Sequence, residues 1–180
     1  MKQEILVGIA GPARAGKNEV AKYLQKYHAF HEDSFAAPIR KCLMDILGLP
    51  FEEYERVKQE PQAVFGGKTC REFMQKMGTE FGREMIYDDI WVDSCILRLD
   101  KFERAAISDV RFDNEAKAIK ERGGFIIHVD RPGIRIEQSA HLSEKGIDES
   151  LIDFKILNDS GLDNLYAQIE TTMRQIFKRM

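Results

Sequence analysis

Cysteine is scarce in this sequence. Its 180 residues hold three, Cys42, Cys70 and Cys95, far apart and with no C-x-x-C pair. That argues against a disulfide scaffold and against structural zinc, which needs four suitably spaced Cys or His ligands. Reduced, partly buried thiols are expected. Long apolar runs are also missing: none approaches the ~18 residues of a membrane span. The stretch Ile5 to Ala10 behind Met1-Lys2-Gln3-Glu4 is too short for a signal peptide. The expectation is a cytoplasmic chain with no membrane partner, opening directly on a strand. There is no surplus of positive charge either. Lys and Arg number 27 against 30 Asp and Glu, a net −3. This argues against a nucleic-acid polymer as partner, while a local basic cleft for a small anion stays open. What is present is ordinary for a folded domain: 43% hydrophobic and 32% charged residues. The length suits one domain, 1–180, with its own core.

Ile5-Leu6-Val7-Gly8-Ile9-Ala10 is continuously apolar, as a parallel strand covered on both faces must be. Further strand candidates are Phe30 to Phe35, Ala105 to Val110, Phe125 to Val129 and Phe154 to Leu157. Between them lie helical patterns: Val20, Leu24 and Tyr27; Ile39, Leu43, Ile46 and Leu47, ended by Leu49-Pro50; Phe73, Met77 and Phe81; and Asp113 to Arg122, closed by Gly123-Gly124. The last helix carries Leu162, Leu165, Ile169, Met173 and Ile176, with Asp159 or Ser160 as its expected cap. The stretch 36–100 reads as mostly helical. The polar stretch from Arg131 to about Asp148 reads as a loop. Strands alternating with helices predict an α/β fold with a parallel sheet.

Gly11-Pro12-Ala13-Arg14-Ala15-Gly16-Lys17 matches G-x-x-x-x-G-K. Glycines permit tight turns in which successive N–H groups face one anion. The next helix adds its positive end, and the lysine reaches the outer phosphates. The motif follows an apolar strand and precedes a helical pattern, as that mechanism requires. The following residue is Asn18, where the motif usually has Ser or Thr to hold Mg²⁺. Asn18 offers a carbonyl oxygen but no hydroxyl, and Mg²⁺ binds with few protein ligands and several waters.

Downstream come Gly78-Thr79-Glu80-Phe81-Gly82-Arg83 and Asp109-Val110-Arg111-Phe112-Asp113-Asn114-Glu115-Ala116, then Arg131-Pro132-Gly133 and His141-Leu142-Ser143-Glu144. With the phosphate loop, and in this order, they resemble the bacteriophage deoxynucleoside monophosphate kinases over nearly the whole chain. Members of that family often have Asp at the position of Asn18. The resemblance implies a P-loop NTPase-type three-layer fold with a central parallel five-stranded sheet flanked by helices. It further implies a helical insertion for the nucleoside monophosphate at about 36–100 and a short lid at about 131–150. The implied activity is transfer of the γ-phosphoryl of ATP to a deoxynucleoside monophosphate (dNMP), with Mg²⁺. A homodimer is a family-level expectation.

On that reading ATP contacts Gly11, Ala13, Arg14, Ala15, Gly16, Lys17, Asn18 and Glu19. Catalysis falls to Lys17, Arg14, Asp109 and Arg131, the last acting from the lid with Arg135. Mg²⁺ would meet Asn18 and Asp109 through water. The acceptor nucleotide is assigned to Phe35, Arg40, Arg71, Gly78, Thr79, Glu80, Arg83, Trp91, Asp109, Arg111, Asn114 and Glu115. Several of these have plainer readings. Glu80 and Arg83 lie three apart and could pair with each other. Glu115 could be a first-turn acid serving a helix dipole. Trp91 could be core packing, and Arg14 or Arg131 a solvated loop arginine. His141 to Glu144 reads as lid structure, and Asn158-Asp159-Ser160-Gly161 as a contact for adenine. Two competing functions remain: a kinase for another phosphorylated small molecule, of dephospho-coenzyme A or phosphomevalonate type, and a nucleotide-binding module without transfer. The G-T-E-x-G-R segment and Trp91 favour a nucleotide. Asn18 keeps the third reading open.

Overall fold

The computed structural model describes residues 5–133 and 145–180. In chain order it begins with β1 (Ile5–Ala10), α1 (Lys17–His28), β2 (His31–Asp33), α2 (Ala37–Leu47) and α3 (Phe51–Val57). A two-stranded hairpin follows, β3 (Pro61–Gln62) and β4 (Lys68–Thr69), then α4 (Cys70–Gln75) and a π-helix over Lys76–Ile86. The chain continues with α5 (Ile90–Leu99), β5 (Arg104–Val110), α6 (Asp113–Glu121), β6 (Phe125–Asp130), β7 (Phe154–Leu157) and α7 (Leu162–Arg179).

Five strands form one sheet in the order β2-β5-β1-β6-β7, every neighbouring pair parallel. β1 sits at the centre with all six residues buried, which is why its sequence is an unbroken apolar run rather than an alternation. Ile5, Val7 and Ile9 share one face with Val20, Ala21 and Leu24 of α1 and with Leu165, Ile169, Met173 and Ile176 of α7. Gly8 faces the other way. A methyl group there would stand 2.6 Å from Ile119 of α6 and 2.7 Å from Ile126. Helices thus cover both faces, giving the three-layer α/β arrangement expected.

The described residues group into two compact units, one comprising those up to Ser34 and from Cys95 on, the other Phe35–Ser94. The first holds the sheet. The second has its own small core of Leu43, Tyr54 and Cys70, packed with Leu47, Phe65 and Phe73. Burial pushes the Tyr54 hydroxyl up to about 12, and that hydroxyl donates to Met74 Sδ at 3.3 Å. Thr69 and Glu72 cap α4 reciprocally. Thr69 Oγ1 accepts from the Glu72 N–H, and the Glu72 carboxylate accepts from the Thr69 N–H.

Several sequence expectations shift. The stretch 36–100 is not wholly helical: Gly66 and Gly67, at φ +63° and +83°, turn the chain back into the hairpin. α2 ends at Leu47 on the left-handed Gly48, two residues before Pro50. Tyr27 does not join the core stripe. It is exposed and packs at a tilt against Tyr23, ring centroids 4.6 Å apart. The stripe Phe73, Met77, Phe81 breaks because the helix turns to π geometry at Lys76. There the hydrogen bonds run i→i+5, residues four apart drift around the axis, and Phe81 emerges exposed. α7 is preceded by Gly161 with no side-chain cap, not capped by Asp159 or Ser160. Arg135 and His141 to Glu144 lie outside the described residues.

Gly8 supplies the first test. Alanine there meets three packed side-chain ends at once, Ile119, Ile126 and Val110, all under 3.0 Å. Gly8→Ala is expected to lose about 1–3 kcal/mol through overpacking, read from urea unfolding midpoints at unchanged slope.

Candidate active site

Ligands of an open parallel sheet bind beyond the carboxyl ends of its strands. The loops after β1, β5 and β2 leave that edge here with chemistry-bearing residues. The loop after β1 is the phosphate motif. Gly11 takes φ +132° and Gly16 φ +111°, a left-handed region in which side chains strain the backbone. Space forbids a side chain as well. A methyl on Gly11 would lie 2.3 Å from the Val129 carbonyl oxygen, and one on Gly16 would lie 2.5 Å from Asn158 Nδ2. Arg14 also takes a positive φ, +66°, at the exposed tip. α1 starts at Lys17, so its positive end opens onto the loop. Lys17 is buried and folds over that loop, its Nζ donating to the Gly11 and Pro12 carbonyls at 2.7 and 2.8 Å. Ala15 is buried. Asn18 is exposed, and Glu19 lies 3.4 Å from Lys22. Arg131, at the end of β6, reaches back to the loop, with Nη1 3.5 Å from the Arg14 carbonyl oxygen.

The second loop leaves β5. Asp109 is the next-to-last residue of that strand and Arg111 follows it. Glu115 is buried, and its Oε2 accepts from the Arg111 N–H at 2.7 Å and the Phe112 N–H at 3.1 Å. This is half of a capping box. Phe112 has no side-chain acceptor for the other half. Asn114 Oδ1 instead accepts from the Glu115 N–H at 3.0 Å. Glu115 therefore shapes the turn that presents Arg111.

The third loop leaves β2. Asp33 ends that strand, and the rule that singled out Asp109 applies to it equally, although the sequence reading passed it over. Its carboxylate accepts from Arg98 Nε at 2.8 Å, Arg98 Nη2 at 3.1 Å and the Ser34 N–H at 2.7 Å. Cys95 is buried nearby. Burial first, and then the Asp33 charge, push its thiol up, so it stays protonated and is no nucleophile.

In the second unit the G-T-E-x-G-R segment lies within the π-helix, a form often found at functional sites. Thr79 and Arg83 are buried, while Glu80 is exposed. Glu80 meets Lys76 at 3.1 Å, and Arg83 Nη1 donates to the Asp88 carbonyl at 2.9 Å. Trp91 Nε1 donates to the Gly78 carbonyl at 2.8 Å, and its ring lies where a methyl on Gly82 would be, 2.6 Å away. Trp91 thus braces the segment. Phe35 is a core residue, Arg40 is half-buried on α2, and Arg71 is exposed on α4.

The loop's glycines, helix end and lysine fit a polyphosphate. Asn18 and Asp109 are oxygen donors of the kind Mg²⁺ accepts. Among the described residues there is no cluster of three or more His, Cys, Asp or Glu that could hold a metal ion.

A family model described as deoxynucleotide monophosphate kinase matches residues 49–169. That span holds both downstream motifs. A protein of Acanthamoeba polyphaga mimivirus named "Putative deoxynucleotide monophosphate kinase" is 30% identical, over 92% of this chain and 94% of its own length. The chain belongs to the deoxynucleotide monophosphate kinase family. The family's Enterobacteria phage T4 protein, a deoxynucleotide monophosphate kinase, is 32% identical over 59% of this chain and 46% of its own length. The deoxynucleoside-5'-monophosphate kinase of Escherichia phage T5 is 29% identical, over 55% of this chain and 43% of its own length. The chain thus spans about half of these phage proteins. Among solved structures, the shikimate kinase of Aquifex aeolicus superposes with a TM-score of 0.54 at 14% identity, covering 94% of this chain and 96% of that one. That likeness shows a shared α/β fold. Among the described residues, no helix is long and apolar enough to cross a membrane.

Two substitutions test these placements. Glu115→Ala should lower stability by roughly 1–3 kcal/mol per stranded N–H donor, and Glu115→Gln by less. Both are read by thermal melting, and an unshifted melt for both would return Glu115 to the role of substrate contact. Gly82→Ala should displace the indole of Trp91. As the sole tryptophan, its fluorescence maximum should move to longer wavelength, while a replacement elsewhere on the π-helix's exposed face leaves it in place.

Proposed function

We propose that this family member transfers the γ-phosphoryl group of ATP to the 5′-phosphate of a dNMP, giving ADP and the deoxynucleoside diphosphate. The observation that carries the reading is the phosphate loop. Gly11 and Gly16 sit in conformations and spaces only glycine fits, with Lys17 folded over the loop at the start of α1.

Phosphoryl transfer asks chiefly for positioning and for stabilisation of charge spread over the transferring oxygens. Lys17 exchanges its two loop carbonyls for β- and γ-phosphate oxygens. Arg14 on the loop and Arg131 beside it add positive charge from a second direction. Arg111 takes the acceptor phosphate, its planar fork matching two oxygens, and Glu115 holds the turn that presents it. Asp109 and Asn18 would hold Mg²⁺ through water, and the ion neutralises phosphate charge when bound. The acceptor is already an anionic phosphate oxygen, so no general base is required. Thr79, Arg83 and Arg71, on the second unit, are assigned to the deoxynucleoside. On this reading the chain works in the cytoplasm, the host's if the gene is viral, which its mimivirus and phage relatives support.

The test is ADP release measured with Mg-ATP and each of the four common dNMPs. Turnover on at least one is expected, and none on any would overturn the reading for these acceptors. Lys17→Ala should lower kcat about 10²-fold or more, the scale of losing one preorganised charge contact, with the fold intact by circular dichroism.

A further inference from the structure

We infer that Asn158 is a positioning residue of the phosphate loop, holding it in its ATP-binding form from the far end of the sequence. The inference rests on the reading of the loop as an ATP site and goes beyond the contact for adenine expected of the 158–161 stretch. Asn158 follows the last residue of β7. Its own N–H donates to the Asp130 carbonyl at 2.7 Å, which fixes its backbone to the end of β6. Its side-chain Nδ2 donates to the Ala15 carbonyl at 2.8 Å. The same nitrogen occupies the space where a methyl on Gly16 would be. Asn158 therefore holds the Ala15–Gly16 peptide from 143 residues away in sequence.

The consequence follows from peptide geometry. A trans peptide directs its C=O and N–H to opposite sides of one plane. With the Ala15 carbonyl held by Asn158, the Gly16 N–H points away from Asn158, and it is one of the successive N–H groups a phosphate loop offers its anion. Without the anchor, this peptide is free to rotate, because Gly16 has no side chain to resist it. Binding ATP must then first select the correct orientation, which lowers the apparent affinity by the fraction of molecules already in it. The two bonds of Asn158 go to the phosphate loop and to the end of β6. Its effect should fall on ATP alone.

The experiment compares wild type with Asn158→Leu, which keeps the size and lacks the donor, and with Asn158→Ala, in case leucine does not fold. Mg-ATP affinity is measured by calorimetry without acceptor, and KM is measured separately for ATP and for the best dNMP. An about tenfold weaker ATP affinity is expected, with KM for ATP raised in parallel and KM for the dNMP within about twofold. An ATP affinity unchanged in a folded variant, or equal losses for both nucleotides, overturns the inference. A second measurement needs no variant. The Asn158 side-chain amide signal of the wild-type protein should shift in an NMR titration with ATP and stay put with dNMP; no shift with ATP also overturns it. Because the calorimetry uses no acceptor, a wild type that binds ATP yet turns over no dNMP fails the proposed reaction and leaves this comparison decisive.

Discussion

The close approach of β1's exit loop to the carbonyl of Val129 sets the terms for the rest of the molecule. Gly11 leaves no room for a single carbon between the turn and β6. The loop can therefore close only if β6 lies beside β1, and β6 does so because Val7 to Ala10 pair with Phe125 to His128. β6 reaches that place from β5, on the other side of β1, by a crossover through α6. α6 packs on the face of β1 where Gly8 has no side chain. Two glycines three residues apart thus serve opposite needs: one admits a helix to the sheet, the other admits a neighbouring strand to the loop.

Electrostatics follow the same edge. A net charge of −3 says little about a site where Lys17, Arg14, Arg131 and Arg111 come from loops that all leave the carboxyl ends of strands. The protein separates its carboxylates by task. Asp33 is consumed by Arg98 and the Ser34 N–H, and Glu115 by two backbone N–H groups. Carboxylates engaged this way are held by donors rather than left to repel phosphate. These two acids are in this sense structural, and the loop cations keep their field.

The strands and the phosphate loop were legible because each has a local cause. An all-apolar run, a glycine pair at fixed spacing and a following amphipathic stretch are all contained within neighbouring residues. The π-helix was not legible. Its sequence, Lys76 to Ile86, shows spacings of four that read as an α-helix, and Trp91, which packs against Gly82 and bonds to Gly78, lies outside that window. Glu115 was half legible. Its place in a first turn was plain, but its burial and its hold on Arg111 depend on the direction in which the chain leaves β5. Asp33 was missed although it stands at the end of a strand, since β2 is only three residues long and its own edges were uncertain in sequence.

The loop's braces explain why a short motif is a weak signal on its own. G-x-x-x-x-G-K provides permission to turn, not the turn itself. The conformation is completed by groups that no window around residue 11 contains: the Val129 carbonyl, the Arg131 guanidinium and the Asn158 amide. All three come from the ends of β6 and β7, the two strands that enter the sheet last in sequence. The sheet order β2-β5-β1-β6-β7 places those ends beside the loop on one side, and places Asp33 and Asp109 at the ends of the strands on the other. Topology, more than the motif, decides which residues meet at the loop. A chain with the same seven residues and another strand order would have the glycines without the groups that make them a site.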